Sequence, residues 1–388
     1  MAEPHVSISL RGIERLISGH LWIYRSDLRH VEAGPGDIVR VTDERGRYLA
    51  RAFYSDRSQI AIRVITRDDV PVDRAFFTER FRAAADFRQQ IVKDTEVYRL
   101  VYAGGDALPA LVVDRYRDYF AIQTLSQGSD RYKNLFVEIL VELFSPRGIV
   151  ERNDPKVRLL EGLEQKVSVL SGEVPAEVIA CENGVAFAYD LLKGQKTGGF
   201  LDQRENRREA RVYAKGEVLD CFCYQGGFAL TVANRADHVE AVDLSAPAIE
   251  AARLNAERNQ ISNITFREAN TFDVLKEYDE ANRRFDMVIL DPPAFAKNRD
   301  SIPAARRGYK EINLRALKLL KPGGYLITSS CSHHIVEPLF LEIVAEAAND
   351  VRRPVACVDR RTQARDHPIV LTMPETHYLK CLIVRVLA

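Results

Sequence analysis

The chain has no apolar run approaching the roughly eighteen residues that a membrane-spanning helix needs, and this argues against a helical membrane protein. Its N-terminus, MAEPHVSISLRG, lacks a basic stretch followed by an apolar core. No signal peptide is therefore expected, and the cytoplasm is the expected compartment. Cysteine is sparse, with 6 in 388 residues, and only Cys221 and Cys223 stand close together. With no second pair, no zinc site is complete and no metal is expected. Net charge is also lacking, because 55 Lys and Arg balance 55 Asp and Glu. Any nucleic-acid contact must then come from local patches, and the global balance neither supports nor excludes one. The chain also has no internal repeat, no low-complexity segment and no Gly-x-Gly-x-x-Gly loop of the dinucleotide type.

What is present starts with length and balance. The 388 residues suggest two or three domains, and 46% hydrophobic with 28% charged residues is ordinary for a soluble globular protein. The stretch around which the chain is organised is VLDCFCYQGGFAL, Val218 to Leu230. It reads as a short strand ending in Asp220, a tight turn, and a helix start. Gly226 and Gly227 lack a Cβ and would let backbone approach a ligand. About twenty residues on, Val239 to Asp243 is a second apolar run ending in an acid, placed to bind ribose hydroxyls. A cofactor with ribose but no phosphate fits this loop, and S-adenosylmethionine is the common one. A bare α/β turn that needs glycine is the alternative.

The first seventy or so residues look β-rich, with Val6–Leu10, Asp37–Val41, Tyr48–Tyr54 and Ile60–Ile65 as strands, and suggest a small barrel. Arg11, Arg15, Arg25 and Arg29 surround the only tryptophan, Trp22. Basic groups interleaved with aromatics suit RNA; a solvated face with Trp22 in the core is the other reading, and composition slightly favours it. Val72–Thr95 has helical spacing, Val97–Ala103, Ala110–Asp114 and Tyr119–Leu125 read as strands, and Arg131–Leu143 is an amphipathic helix. With Gly148–Glu151 they form a small α+β unit, after which the polar stretch to about Val178 reads as a connection. Glu182-Asn183-Gly184 signals a hairpin. Strands then alternate with helices (Val218–Asp220, Val239–Asp243, Ile264–Arg267, Met287–Leu290, Tyr325–Ser329 and Leu379–Val386), the signature of a doubly wound α/β sheet. Before them, GQKTGGFLDQR carries Lys196 and Arg204, which suit a carboxylate such as that of a methionine moiety. Helix capping by Asp202 is the plain alternative.

Two strand ends carry the chemistry. Asp291-Pro292-Pro293-Ala294-Phe295 follows one strand, where Asp291 can accept from a heterocycle nitrogen and Phe295 can stack on a base; a rigid turn is the alternative. The next strand ends in SSCSHH, which puts Cys331 beside Asp291. Carbon 5 of a pyrimidine is a poor nucleophile, and a thiolate adding at carbon 6 activates it. Cys331 and Asp291 are the pair such chemistry needs, with His333, His334 or a water as the base that later removes the carbon 5 proton. A buried structural thiol is the bland reading. Lys297, Arg299, Arg306, Arg307 and Lys310 make a basic stretch that can grip phosphates or simply be a solvated face.

The stretches SGHLWIYRSDL, KTGGFLDQRENR, DCFCYQGGFAL, AVDLSAPAIEAARLNAERN, DPPAF and SSCSHH together resemble the bacterial large-subunit ribosomal RNA cytosine-5 methyltransferases. The resemblance implies a PUA domain over residues 1–70, a central α+β domain over 71–178, and a Rossmann-like class I methyltransferase domain over 179–388. It implies S-adenosylmethionine as cofactor, bordered by Asp220, Tyr224, Gly226, Asp243, Asn270, Asp291 and Arg204. It further implies Cys331 as nucleophile, Asp291 on the target base, and RNA contacts at Arg11, Arg15, Trp22, Arg306 and Arg307. The substrate would be 23S ribosomal RNA or a partly assembled large subunit, and the enzyme a homodimer. Two features depart from the wider pattern: the CYQGG loop replaces Gly-x-Gly, and the DPPAF motif carries no cysteine, so Cys331 must add to the base alone. A guanine nitrogen methyltransferase working through Asp291, and an RNA-binding assembly factor with a vestigial pocket, are the competing functions.

Overall fold

The computed structural model describes residues 3–296 and 298–387. The chain forms two compact units, each assembled from separated stretches. The first contains residues 1–180, 189–201 and 365–376; the second contains 181–188, 202–364 and 377–388. Among the described residues, no helix is long and apolar enough to cross a membrane.

The first unit holds two sheets. One has six strands, His5–Ile8, Trp22–Tyr24, Leu28–Glu32, Ile38–Thr42, Tyr48–Tyr54 and Ile60–Thr66. Its two edges are Trp22–Tyr24 and Leu28–Glu32, joined only by the three-residue turn Arg25–Asp27. So short a link between opposite edges requires the sheet to curl toward closure, which is the barrel character expected. Its core is Val6, Ile8, Ile23, Val39, Val41, Ile62 and Val64. The expected strand Val6–Leu10 stops at Ile8, because Ser9 caps a helix, Leu10–Ile17, by accepting from the Gly12 N–H. Arg11 and Arg15 therefore sit on a helix.

The second sheet has five strands over one hydrophobic core built with helices Arg74–Ile91 and Lys133–Phe144. Here one expectation is corrected. The stretch read as a connection contains the strand Lys166–Gly172, paired antiparallel to Gly148–Asn153. It is an edge strand with half its residues exposed, so its polar side chains hid it. Inside this unit, Asp366 binds back: its carboxylate accepts from the Arg99 N–H at 2.8 Å, and its carbonyl from Arg88 at 2.8 Å.

The second unit is organised by a seven-stranded sheet: β1 (Glu217–Cys221), β2 (His238–Asp243), β3 (Ile264–Glu268), β4 (Phe285–Leu290), β5 (Leu320–Ser330), β6 (Val355–Thr362) and β7 (Lys380–Val386). Their order is β3-β2-β1-β4-β5-β7-β6, and all are parallel except β7, which is antiparallel to both neighbours. β6 was not anticipated; its mix of Asp, Arg and Thr reflects its place at the edge. Central strands β1 and β4 are apolar because helices cover both faces. The strand order reverses between β1 and β4, and ligands bind at the carboxyl ends beside such a switch point. A core of Leu219, Val242, Val288, Leu290, Leu326, Phe340 and Leu382 holds the layers together.

Candidate functional site

β1 delivers Asp220 fully buried at its carboxyl end. One carboxylate oxygen accepts the Ala229 N–H at 2.8 Å, tying the strand to the first turn of the following helix. The other is buried and has no hydrogen-bond partner among the described residues. Burial raises its pKa well above the usual range, the Ala229 N–H opposes this, and the charges of Asp291 and Asp243 add to it. A buried acceptor without a donor is what a ligand's N–H or ammonium would satisfy.

The turn after β1 holds two bulky residues in the left-handed region, Phe222 at φ +63° and Tyr224 at φ +48°. That strain is held by hydrogen bonds: the Tyr224 N–H donates to Asp243 at 2.8 Å, and strained backbone of this kind concentrates at functional sites. Gly226 lies at φ +84°, and a Cβ there would stand 2.3 Å from Leu230 Cδ1. A Cβ on Gly227 would meet Arg207 Nε at 3.0 Å. Packing inside the domain therefore gives each glycine a reason of its own, beside the expected close approach of backbone to a ligand.

Asp243 ends β2 half-buried, with its second oxygen accepting the Ser245 N–H at 2.9 Å. Each oxygen keeps lone pairs for a vicinal diol. The Asn270 side chain caps the helix Thr271–Glu280 through the Phe272 N–H at 2.9 Å. Asn270 is thus first a structural cap, at the carboxyl end of β3, and is exposed. Arg204 is 2% exposed and lies 3.4 Å from Glu205, so it is buried in the domain. Gln203 rather than Asp202 stands at the N-cap of the helix Arg204–Tyr213, and Asp202 accepts from the Tyr378 hydroxyl at 2.7 Å. Lys196 belongs to the other unit, where its ammonium lies over the Phe200 ring at 4.5 Å.

Asp291 follows β4 and accepts from Gln203 Nε2 at 2.8 Å. Gln203 in turn accepts from Asn206 Nδ2 at 2.6 Å. Cys331 follows β5 and is partly exposed, with its Sγ 3.9 Å from the Pro292 carbonyl oxygen. Asp291 and Cys331 thus stand at adjacent strand ends, since Leu290 is in register with Thr328. Burial pushes the Cys221 and Cys223 thiols well up and Cys381 to about 12, so none of these three forms a thiolate readily. Phe295 is half-buried, and its ring packs on Tyr309 at 4.6 Å and Phe272 at 6.3 Å. His333 is exposed, with its ring 5.6 Å from that of Tyr378, and His334 is half-buried.

Two cations of the basic stretch, Arg306 and Lys310, are paired with acids. Arg306 pairs with Glu342 at 2.6 Å and also with Glu346, and Lys310 pairs with Asp350 at 2.9 Å. These acids come from the helix Glu337–Asp350, far off in sequence, so a linear charge count missed them. Arg307 is exposed, and Lys297 lies outside the described residues. In the six-stranded sheet, Trp22 is half-buried with His20 edge-on at 5.7 Å, so it is not a core residue. Arg15 lies over the Tyr24 ring at 4.5 Å, Arg11 is 73% exposed, and both flank the buried Asp27 at 3.8 Å. Arg25 is consumed by the carbonyls of Ser55 and Ser58. Among the described residues no cluster could hold a metal ion.

Residues 6–67 match the PUA-like domain family, and residues 163–384 match the family described as S-adenosylmethionine-dependent methyltransferase. The chain is 40% identical to the ribosomal RNA large subunit methyltransferase I of Vibrio vulnificus, covering 97% of this chain and 98% of that one. It is 42% identical to the protein of the same name from Shewanella amazonensis, covering 95% of each. Among solved structures, a methyltransferase complexed with SAH superposes at TM-score 0.85 with 22% identity over all of both chains. A SAM-dependent methyltransferase from Streptococcus mutans superposes at 0.83 with 20% identity, covering 98% of this chain and 100% of that one. Both show the same fold.

Proposed function

Because the chain belongs to the S-adenosylmethionine-dependent methyltransferase family, with ribosomal RNA large subunit methyltransferase I proteins as relatives along nearly its whole length, we propose that it methylates carbon 5 of a cytosine in 23S ribosomal RNA through a covalent Cys331 adduct. The observation that carries this reading is the partly exposed Cys331 thiol at a strand end adjacent to Asp291. S-adenosylmethionine, when bound, supplies an electrophilic methyl group. The orphaned Asp220 oxygen and the spare lone pairs of Asp243 fit its amino and ribose groups.

The chain's own residues then act on the base. A flipped cytosine has its ring nitrogen protonated by Asp291 acting as the acid, itself fixed by Gln203. The Cys331 thiolate adds at carbon 6, and the electron pair of the 5,6 double bond becomes available at carbon 5 for the methyl group. After transfer, carbon 5 carries both the methyl group and its original proton. Removal of that proton re-forms the double bond and expels the thiolate. His333, His334 or a water serves as the base. Arg11, Arg15 and Trp22 are the RNA-facing group of the PUA-like domain, and Arg307 is a further contact. The same reading places the enzyme in the cytoplasm, as a homodimer, with sedimentation as the test of the latter.

The test is incubation with labelled S-adenosylmethionine and unmodified ribosomal RNA or large subunits, followed by digestion to nucleosides. Label in 5-methylcytidine is expected. Label in a methylguanosine would sink the thiol mechanism and leave Asp291 as the main group.

A further inference from the structure

A lysine behind Cys331 has no part in the scheme above. Lys380 opens β7, in register with Ser330 of β5 and Thr362 of β6. It is 2% exposed, unusual for lysine. Its Nζ donates to the Ser332 carbonyl at 2.7 Å and to the Tyr378 carbonyl at 2.8 Å. Ser332 directly follows Cys331, so this ammonium is anchored on the loop that presents the thiol. The same loop is held from the helix Ile302–Leu319, where the Tyr309 hydroxyl meets Ser332 Oγ at 3.0 Å.

Burial pulls the Lys380 ammonium down to about 8, while the charges of Cys331 and Glu337 pull it back up. Glu337, on the helix that follows the Cys331 loop, is also drawn to Arg360 at 3.6 Å. Tyr309, which meets this loop from its helix, is held neutral by burial, and the loop itself carries the titratable His333 and His334. A cation kept in a buried place costs stability unless an anion forms beside it.

We propose that Lys380 is a positioning residue that fixes the Cys331 loop and stabilises the thiolate of Cys331 by its charge. This rests on the reading of Cys331 as the nucleophile. When the S–H bond breaks, the proton leaves to water and the electron pair stays on sulfur, in the field of a cation that the reaction does not consume. The stabilisation is present while Lys380 is protonated and fades as pH rises through about 8.

The test is the pH dependence of iodoacetamide alkylation at Cys331, read by peptide mass spectrometry, with no RNA or cofactor present. The exposed Cys357 serves as internal reference. In the wild type, the Cys331 midpoint is expected below the ordinary thiol value of about 8.5. Lys380→Met is expected to raise it by about one pH unit, roughly a tenfold loss of thiolate at neutral pH; Lys380→Arg should largely restore it, and Cys357 should not move. A wild-type midpoint at or above the ordinary value overturns the proposal even if Lys380→Met does not fold. So does an unmoved midpoint in a folded Lys380→Met protein. A Lys380-dependent midpoint in a protein that forms no 5-methylcytidine would refute the methylation reading and leave this coupling standing.

Discussion

Gln203 Nε2 donates to Asp291 Oδ1 at 2.8 Å, and so joins the LDQR turn to the DPPAF turn across 88 residues of sequence. This bond helps to orient the Asp291 carboxylate. Gln203→Leu should therefore lower kcat for methyl transfer by roughly tenfold, the worth of one hydrogen bond to a charged group. S-adenosylmethionine affinity, measured by titration calorimetry, should stay within about threefold, a shift of well under 1 kcal/mol. An equal loss in both would mean that Gln203 acts on the cofactor instead.

Cys331→Ala should abolish 5-methylcytidine formation, by more than about a thousandfold, because it removes the thiol assigned to add at carbon 6. Cofactor affinity should be unchanged. A variant that still methylates at a comparable rate removes the covalent step.

Asp243→Ala should weaken S-adenosylmethionine binding by roughly ten- to a hundredfold, since it removes acceptors for the ribose diol. It also releases the Tyr224 and Ser245 N–H groups. Asp243→Asn keeps one acceptor and should fall between the two in calorimetric titration.

Gly226→Ala forces a Cβ to within 2.3 Å of Leu230 at a left-handed φ. It should destabilise the protein without cofactor by about 1–3 kcal/mol. Thermal melts decide this: a normal melting temperature with weakened cofactor binding would return Gly226 to a ligand-facing role.

Glu151 gives a pH signature. Burial disfavours its charge, but hydrogen bonds from Lys133, Ser168 and Asn153 and the Lys133 charge outweigh this and hold it at about 2. Its folded pKa lies below the unfolded value of 4.5, so the ionised form is favoured by folding. The resulting stability is present above pH 4.5 and is lost as pH falls toward 2. Urea melts of Glu151→Gln and wild type should differ most at neutral pH and converge in acid.

The doubly wound sheet was legible because its central strands are apolar and punctuated by turns, and because Asp220, Asp243, Asp291 and Cys331 end strands where the alternation is clearest. The edge strands Lys166–Gly172 and β6 were not legible, since an exposed edge needs no apolar pattern. Charge was misread for a similar reason. Arg306 and Lys310 look free along the chain, but their partners come from a helix some forty residues away, which only the fold brings near. The glycines of the CYQGG loop stood out in the sequence, but the Leu230 side chain that leaves no room for a Cβ at Gly226 did not. Lys380 was missed altogether, as a buried lysine in an apolar strand carries no motif.

The interleaving of the two units sets an order of events at birth. Asp366 holds Arg88 and the Arg99 backbone of the first unit, yet it leaves the ribosome only after nearly all of the second unit has been made. The N-terminal part, although synthesised first, cannot reach its final set of bonds until the chain is almost complete. Growing chains fold their leading portions early; here the six-stranded sheet has its core within Val6–Val64, while the Asp366 bonds close last. A fragment ending before residue 365 would lack this clasp for good, and so cutting the chain once should not yield an intact first unit.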